Sequence, residues 1–207
     1  MLQLSPLEHV GKALMALGME RDDIVVLDPD VSSSTKTTYF ADRFPERFIN
    51  VGISEQDLMG IASGLAMSGK TPIASGFAMF IVGRALEQIA GLARANLNVK
   101  IVATHGGLSP HADGASHQIL GDIAVMRVLP NMRVVVPADA VEAVEALRAI
   151  VSSRGPAYLR LGRGPVPTIY EEGGDYVIGR GRLLRDGSDA TIVANGIMVS
   201  MALEASE

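Results

Sequence analysis

No cysteine occurs among the 207 residues. That absence excludes disulfides, thiolate chemistry and cysteine-ligated zinc, and it fits a cytoplasmic protein. A basic field is missing too. The chain has 18 Lys and Arg against 23 Asp and Glu, a net charge of −5, which argues against a nucleic-acid partner. No run of about 18 apolar residues exists, so no membrane span is expected. The start, Met1-Leu2-Gln3-Leu4-Ser5-Pro6, lacks the basic opening and apolar run of a secretory signal. Aromatic residues are scarce at 4%, and only four histidines are present. What remains is an ordinary globular balance, 48% hydrophobic and 20% charged. The length suits one large α/β domain, or one domain with a further piece.

Helix-like and strand-like segments alternate, the pattern of a parallel sheet covered by helices. Residues 7–17 read as a helix, with Ser5 as N-cap, Pro6 at the first position and Gly18 as the stop. Residues 24–27 are a continuous apolar run, expected as a buried strand. A polar loop, 28–35, follows at the strand's carboxyl end, the edge where open α/β sheets bind ligands. Further strands are expected at 48–51, 72–75, 100–103, 133–136 and 157–161. Further helices are expected from a Ser54 cap to about Ser68, and over 79–96, 119–128 and 140–151.

The tail changes character. Residues 170–189 are rich in Gly, Arg and Asp and read as a linker or hairpin. Residues 190–194 read as a strand, and a helix starts near Met198 without a stop signal. So late a domain has no room for its own core. The expected organisation is an α/β domain over 1–167, a linker over 168–189, and the beginning of an incomplete second α/β domain over 190–207.

Four segments carry candidate chemistry. In Asn50-Val51-Gly52-Ile53-Ser54-Glu55-Gln56 a strand ends, glycine turns the chain, and Glu55 enters the first turn of a helix. An acid there is ordinary helix-start chemistry, since a carboxylate favours the positive helix end. Phe77 and Phe80 lie three apart after a strand. At helical spacing they share a face, either in the core or as a stack for a flat heterocycle. Residues 103–118 hold His105, His111, His117 and Asp113 among small residues, poor material for a core. Successive histidines there stand six apart, unlike a helical zinc-ligand pair. Proton shuttling, anion binding, another kind of metal site and a solvated turn all stay open. Arg160 and Arg163 close a strand among glycines, suiting a phosphate or carboxylate, or surface ion pairs.

The order of these segments carries more than any one of them. It runs Asp-x-x-x-Ser (Asp28, Ser32), Gly-Ile-Ser-Glu-Gln, Phe-x-x-Phe, Ala-Thr-His, Asp-Gly-x-x-His-Gln, Leu-Pro-Asn, Pro-Ala-Asp, then an arginine strand. This resembles the transketolase family over nearly the whole chain. It is most similar to the split form, whose carboxyl-terminal section is a separate polypeptide. The resemblance implies a pyrimidine-binding α/β domain and thiamine diphosphate as cofactor. Glu55 matches the glutamate that hydrogen-bonds the aminopyrimidine ring nitrogen and so activates the cofactor. Phe77 and Phe80 match aromatics around that ring, and Asp28 an aspartate in the loop beside the thiazolium. His117 matches a histidine suited to proton transfer at substrate oxygens. His105, Ser32 and Arg163 match residues near a sugar phosphate, and Asp113 one near a hydroxyl.

The chain also departs from the family's pattern. His111-Ala112 stands where many transketolases have Gly-Glu, and Gly83 where a third aromatic often follows. The Gly-Asp-Gly motif that holds diphosphate and magnesium is absent. The resemblance therefore implies no metal site on this chain. Magnesium would come with an amino-terminal section on a separate chain, in a homodimer or heterotetramer acting on sugar phosphates. Deoxyxylulose-phosphate synthases share Asp-Gly-x-x-His-Gln but usually carry arginine where Phe80 stands. The beta subunits of 2-oxoacid dehydrogenases share Ile-Ser-Glu but normally lack the paired histidine motifs. A non-catalytic assembly subunit has no need of Glu55, Phe77, Phe80 and His117 together.

Overall fold

The computed structural model describes residues 2–171 and 176–207. Its centre is a six-stranded parallel sheet. The strands are β2 (Ile24–Asp28), β3 (Phe48–Asn50), β4 (Thr71–Phe77), β5 (Lys100–Thr104), β6 (Arg133–Val135) and β7 (Ala157–Arg160), in the order β3-β2-β4-β5-β7-β6. Two short strands, β1 (Gln3–Leu4) and β8 (Val166–Pro167), pair antiparallel apart from it.

Strands buried on both faces explain the apolar runs in the sequence. Ile24 and Val26 enter one core layer, while Val25 and Leu27 enter the other. The first layer is closed by α1 (Pro6–Glu20), α3 (Thr38–Arg43) and α7 (Ala140–Ser152), through Leu14, Phe40 and Leu147. The second is closed by α4 (Glu55–Met67), α5 (Ala78–Arg94) and α6 (Asp122–Val128), through Leu58, Ile81, Ile89 and Met126. A one-residue slip in any strand would exchange these layers, so the pattern fixes the register.

Most expected elements are present, and four differ. Gly18 does not stop α1, which runs on to Glu20, where Arg21 N caps onto Leu17 O at 2.9 Å. The glycine serves packing instead: a Cβ there would lie 2.6 Å from ring carbons of Phe40 and Phe44. The polar loop after β2 contains a helical turn, α2 (Ser32–Thr35). The helix expected from 119 begins only at Asp122, because Ile119 is drawn into a bridge with Gly107. The strand expected at 190–194 does not form. Among the described residues it pairs with no strand, and Val193 is exposed.

Of the linker expected over 168–189, residues 172–175 lie outside the described residues. Its described part forms no hairpin ladder. Asp139 anchors its start. One carboxylate oxygen caps α7 at Glu142 N (2.8 Å), and the other accepts from Ile169 N (2.6 Å) and Tyr170 N (2.9 Å). Further on, Arg182 pairs with Glu145 at 3.2 Å. The last helix, α8 (Met198–Ala205), follows Gly196, whose N–H bonds Val136 O at 3.1 Å.

Candidate active site

Parallel strands put every candidate side chain at one edge of the sheet. Asp28 ends β2 and Ser32 follows it, Glu55 follows β3, and Phe77 ends β4. His105 follows β5, and Arg160 and Arg163 lie at the end of β7. Because β2, β4, β5 and β7 are neighbours, their carboxyl ends form one continuous rim.

Glu55 is the first residue of α4 and only 4% exposed. Ser54 precedes it but does not cap the helix with its side chain. Its hydroxyl turns back to Val51 O at 2.8 Å. Glu55 Oε2 accepts from Arg84 Nη1 at 2.8 Å. The same guanidinium lies 4.3 Å from the Phe80 ring centroid, a cation–π distance.

Phe77 and Phe80 do meet, with ring centroids 6.1 Å apart. They do so across a strand end and a helix start rather than on one helical face, since Phe77 is still in β4. The Phe77 ring also packs on His105, at 4.2 Å, and His117 approaches Phe80 edge-on at 5.1 Å. Two rings, two imidazoles and one carboxylate therefore form one chain of contacts, joined by Arg84.

The two histidines differ in setting. His105 is buried and takes a left-handed backbone, φ 58°. Thr104 Oγ1, which donates to Gly76 O at 3.3 Å, stands 2.9 Å from His105 Nδ1. Burial, reinforced by the Arg163 charge, pushes the His105 imidazole down to about 4, so it is neutral at pH 7. His117 is half-buried, with Nδ1 held by Ser116 Oγ at 3.0 Å, which leaves Nε2 as its open nitrogen. His111 is exposed and joins neither ring.

The arginines divide as well. Arg160 Nε donates to Asp122 Oδ2 at 2.7 Å, where Tyr158 OH also donates at 3.0 Å. Its guanidinium lies against the backbone of the histidine loop. A Cβ on Gly106 would come within 2.9 Å of Arg160 Cζ. Arg160 thus shapes the loop. Arg163 is more open, bonding Asp113 Oδ1 and Pro110 O, each at 2.8 Å. That pair staples the histidine loop to the segment after β7.

Asp28 is fully buried and faces its own loop. One oxygen accepts from Val31 N (2.6 Å), the other from Thr35 Oγ1 (2.7 Å) and Thr37 Oγ1 (2.9 Å). Burial pushes its carboxyl up, against these three donors. With both oxygens so engaged, Asp28 shapes the segment that carries Ser32, which is half-buried at the start of α2. Arg84 is the site residue that the motifs missed. Its only signal is the spacing of four from Phe80 along a helix.

A buried carboxylate linked through Arg84 to a pair of tilted rings suits a flat, nitrogen-bearing heterocycle. The sequence profile described as "Transketolase, pyrimidine binding domain" matches residues 4–168. The chain belongs to the transketolase family. The domain matched is the part of a thiamine-diphosphate enzyme that receives the cofactor's pyrimidine, and the carboxylate, rings and imidazoles present here fit that group.

Among transketolase relatives, a carboxyl-terminal section from Methanocaldococcus jannaschii is 48% identical over 200 residues, covering 95% of this chain and 63% of its own. One of the subunits of an apulose-4-phosphate transketolase from Phocaeicola vulgatus is 41% identical, covering 93% of this chain and 62% of its own. A solved split-gene transketolase, an inactive beta4 tetramer, superposes with a TM-score of 0.89 at 51% identity, covering 98% of this chain and 66% of its own. The chain thus spans less than two thirds of the length of these relatives.

Proposed function

We propose that this chain is a subunit of a split, thiamine-diphosphate-dependent transketolase that moves a two-carbon ketol unit from a ketose phosphate to an aldose. The observation that carries this reading is the chain of contacts at the rim of the sheet that runs from Glu55 through Arg84 to Phe80, Phe77, His117 and His105. Relatives that are themselves split sections or subunits support it. Residues 1–167 are the pyrimidine-binding unit, 168–189 a tether, and 190–207 the beginning of a further domain. The absence of cysteine supports a cytoplasmic setting. Among the described residues no helix is long and apolar enough to cross a membrane.

When bound, thiamine diphosphate would supply the carbanion chemistry. This chain's part is to hold and tune. Glu55 would hydrogen-bond a ring nitrogen and share a proton with it, and Phe77 and Phe80 would bound the ring. His117 has Nδ1 committed to Ser116, so Nε2 exchanges protons with a substrate oxygen. Arg163 supplies positive charge for a phosphate, with Ser32 and His105 beside it, and Asp113 accepts from a substrate hydroxyl once it parts from Arg163. Asp28 acts through the loop it organises. Diphosphate and magnesium would be held by an amino-terminal section on another chain, and the active particle would be a homodimer or heterotetramer of the joined sections. That the related beta4 tetramer is described as inactive supports this dependence on a second section.

The test is reconstitution. The chain is combined with an amino-terminal transketolase section, magnesium and thiamine diphosphate, and ketol transfer is measured with phosphorylated ketoses. Glu55→Gln is expected to lower turnover by at least about 100-fold, the scale of a lost proton-transfer group. Turnover like that of the wild type would sink the proposed role. Tight assembly without transfer from any ketose phosphate would favour a non-catalytic assembly subunit.

A further inference from the structure

The Glu55 carboxylate is not open in the fold. Arg84 Nη1 holds Glu55 Oε2 at 2.8 Å, and the same guanidinium lies 4.3 Å from the centre of Phe80. One side chain therefore covers two surfaces at once. They are the carboxylate that would bond a pyrimidine nitrogen and the ring face against which the heterocycle would lie. A planar cation and a planar heterocycle compete for that space.

Arg84 is also free to leave. Its side chain is 49% exposed, in contrast to Arg160, which is 19% exposed and wedged on the Gly106–Gly107 backbone. Among the described residues, the Arg84 guanidinium has no other hydrogen-bond or ion-pair partner. Its neighbour Gly83 leaves open space: a Cβ there would meet only Met79 Cε, at 3.9 Å. The backbone, by contrast, is held. Ala85 departs from helical angles (φ −111°, ψ 20°), and the Arg84 carbonyl accepts from Gln56 Nε2 at 3.0 Å. A side chain inserted beside the helix ladder in this way is a recognised cause of a kink. The kink and its Gln56 tie fix where the Arg84 side chain departs, so that only the side chain has to move.

We propose that Arg84 is a gate over the cofactor position. In the free subunit its guanidinium pairs with Glu55 and covers Phe80, and a pyrimidine enters only as that side chain swings out past Gly83. The inference rests on the reading of Glu55 and Phe80 as pyrimidine contacts. The gate makes the free subunit a poor binder of cofactor, since the ion pair must part before the ring can dock.

Thiamine carries the aminopyrimidine without the diphosphate, so it probes this half-site alone. Calorimetric titration of the full chain should show Arg84→Gln binding thiamine about tenfold more tightly than wild type, which is about 1.4 kcal/mol. Arg84→Lys, which keeps the charge, should stay near wild type. Equal or weaker binding by a folded Arg84→Gln chain, or none at all, overturns the gate. Should Arg84→Gln fail to fold, the wild-type chain decides through the Arg84 Nε–H resonance. Thiamine at saturation is expected to move it towards that of a solvent-exchanging guanidinium, and an unmoved resonance overturns the proposal. Glu55→Gln made in the Arg84→Gln chain, where no gate remains, separates the two ideas. If it leaves thiamine binding unchanged, the pyrimidine reading fails and the gate with it. If it loses binding while Arg84→Gln alone gains nothing over wild type, the gate alone fails.

Discussion

At the scale of single residues, His105 shows how much the fold changes a side chain. Buried on Phe77 near the Arg163 charge, its imidazole falls from an ordinary 6.5 to about 4. The unfolded chain therefore takes up this proton near pH 6.5, while the folded chain resists until about pH 4. Between those values the unfolded state binds more protons, so stability rises with pH across the window and is lost on acidification. A shift of this size corresponds to about 3 kcal/mol. Imidazole resonances should place the His105 midpoint near 4, and chemical denaturation should show stability falling between pH 7 and pH 4. An ordinary midpoint near 6.5 would contradict the buried placement. A phosphate bound beside Arg163 would oppose that arginine's effect and raise the midpoint. The motif order put His105 at the site, but its neutrality depends on burial by residues distant in sequence, which no local pattern encodes. Arg84 escaped notice for the same reason: Glu55 is its partner from another helix, 29 positions away.

Elements were legible where one physical cause dominated. Ile24 to Leu27 read as a buried strand, and the two core layers show why no polar residue interrupts it. Ser5 and Pro6 set the start of α1 through purely local chemistry, and Ser5 Oγ accepts from Glu8 N at 3.4 Å. The end of that helix was misread because Gly18 answers to Phe40 and Phe44, which belong to a different segment. This yields a prediction against propensity. In an isolated helix Gly→Ala would stabilise by about 1 kcal/mol. Here a methyl group 2.6 Å from two rings forces them apart, and overpacking of that kind costs about 1–3 kcal/mol. Gly18→Ala should therefore lower the thermal midpoint, and a raised midpoint would show that the rings yield freely. The segment 190–194 failed in the opposite sense. Its Thr-Ile-Val content favours a strand, but β-propensity is realised only in pairing, and among the described residues this segment pairs with no strand.

For the molecule as a whole, chain order and space are related through the sheet. Segments scattered from Asp28 to Arg163 converge because every sheet strand runs the same way, so every strand exit faces the same rim. The alternating pattern announced that arrangement, and with it the side of the sheet where chemistry would gather. It could not announce the strand order, in which β7 slips between β5 and β6 and brings Arg160 beneath the histidine loop.

The small ladder of β1 with β8 has its own consequence. Gln3 faces Pro167 and Leu4 faces Val166, so the unit's way in and way out share one doorway. A folding unit with such a doorway behaves as a cassette. It can be spliced into a longer polypeptide, or cut loose from one, without any strand of the sheet being rethreaded. A host domain fused ahead of Gln3 should shift this unit's melting temperature by less than about 3 °C, roughly 1 kcal/mol for a chain of this size. A larger fall would mean that the doorway is narrower than the ladder suggests. Cutting or joining a polypeptide at this joint is then nearly neutral for the folding of the sheet.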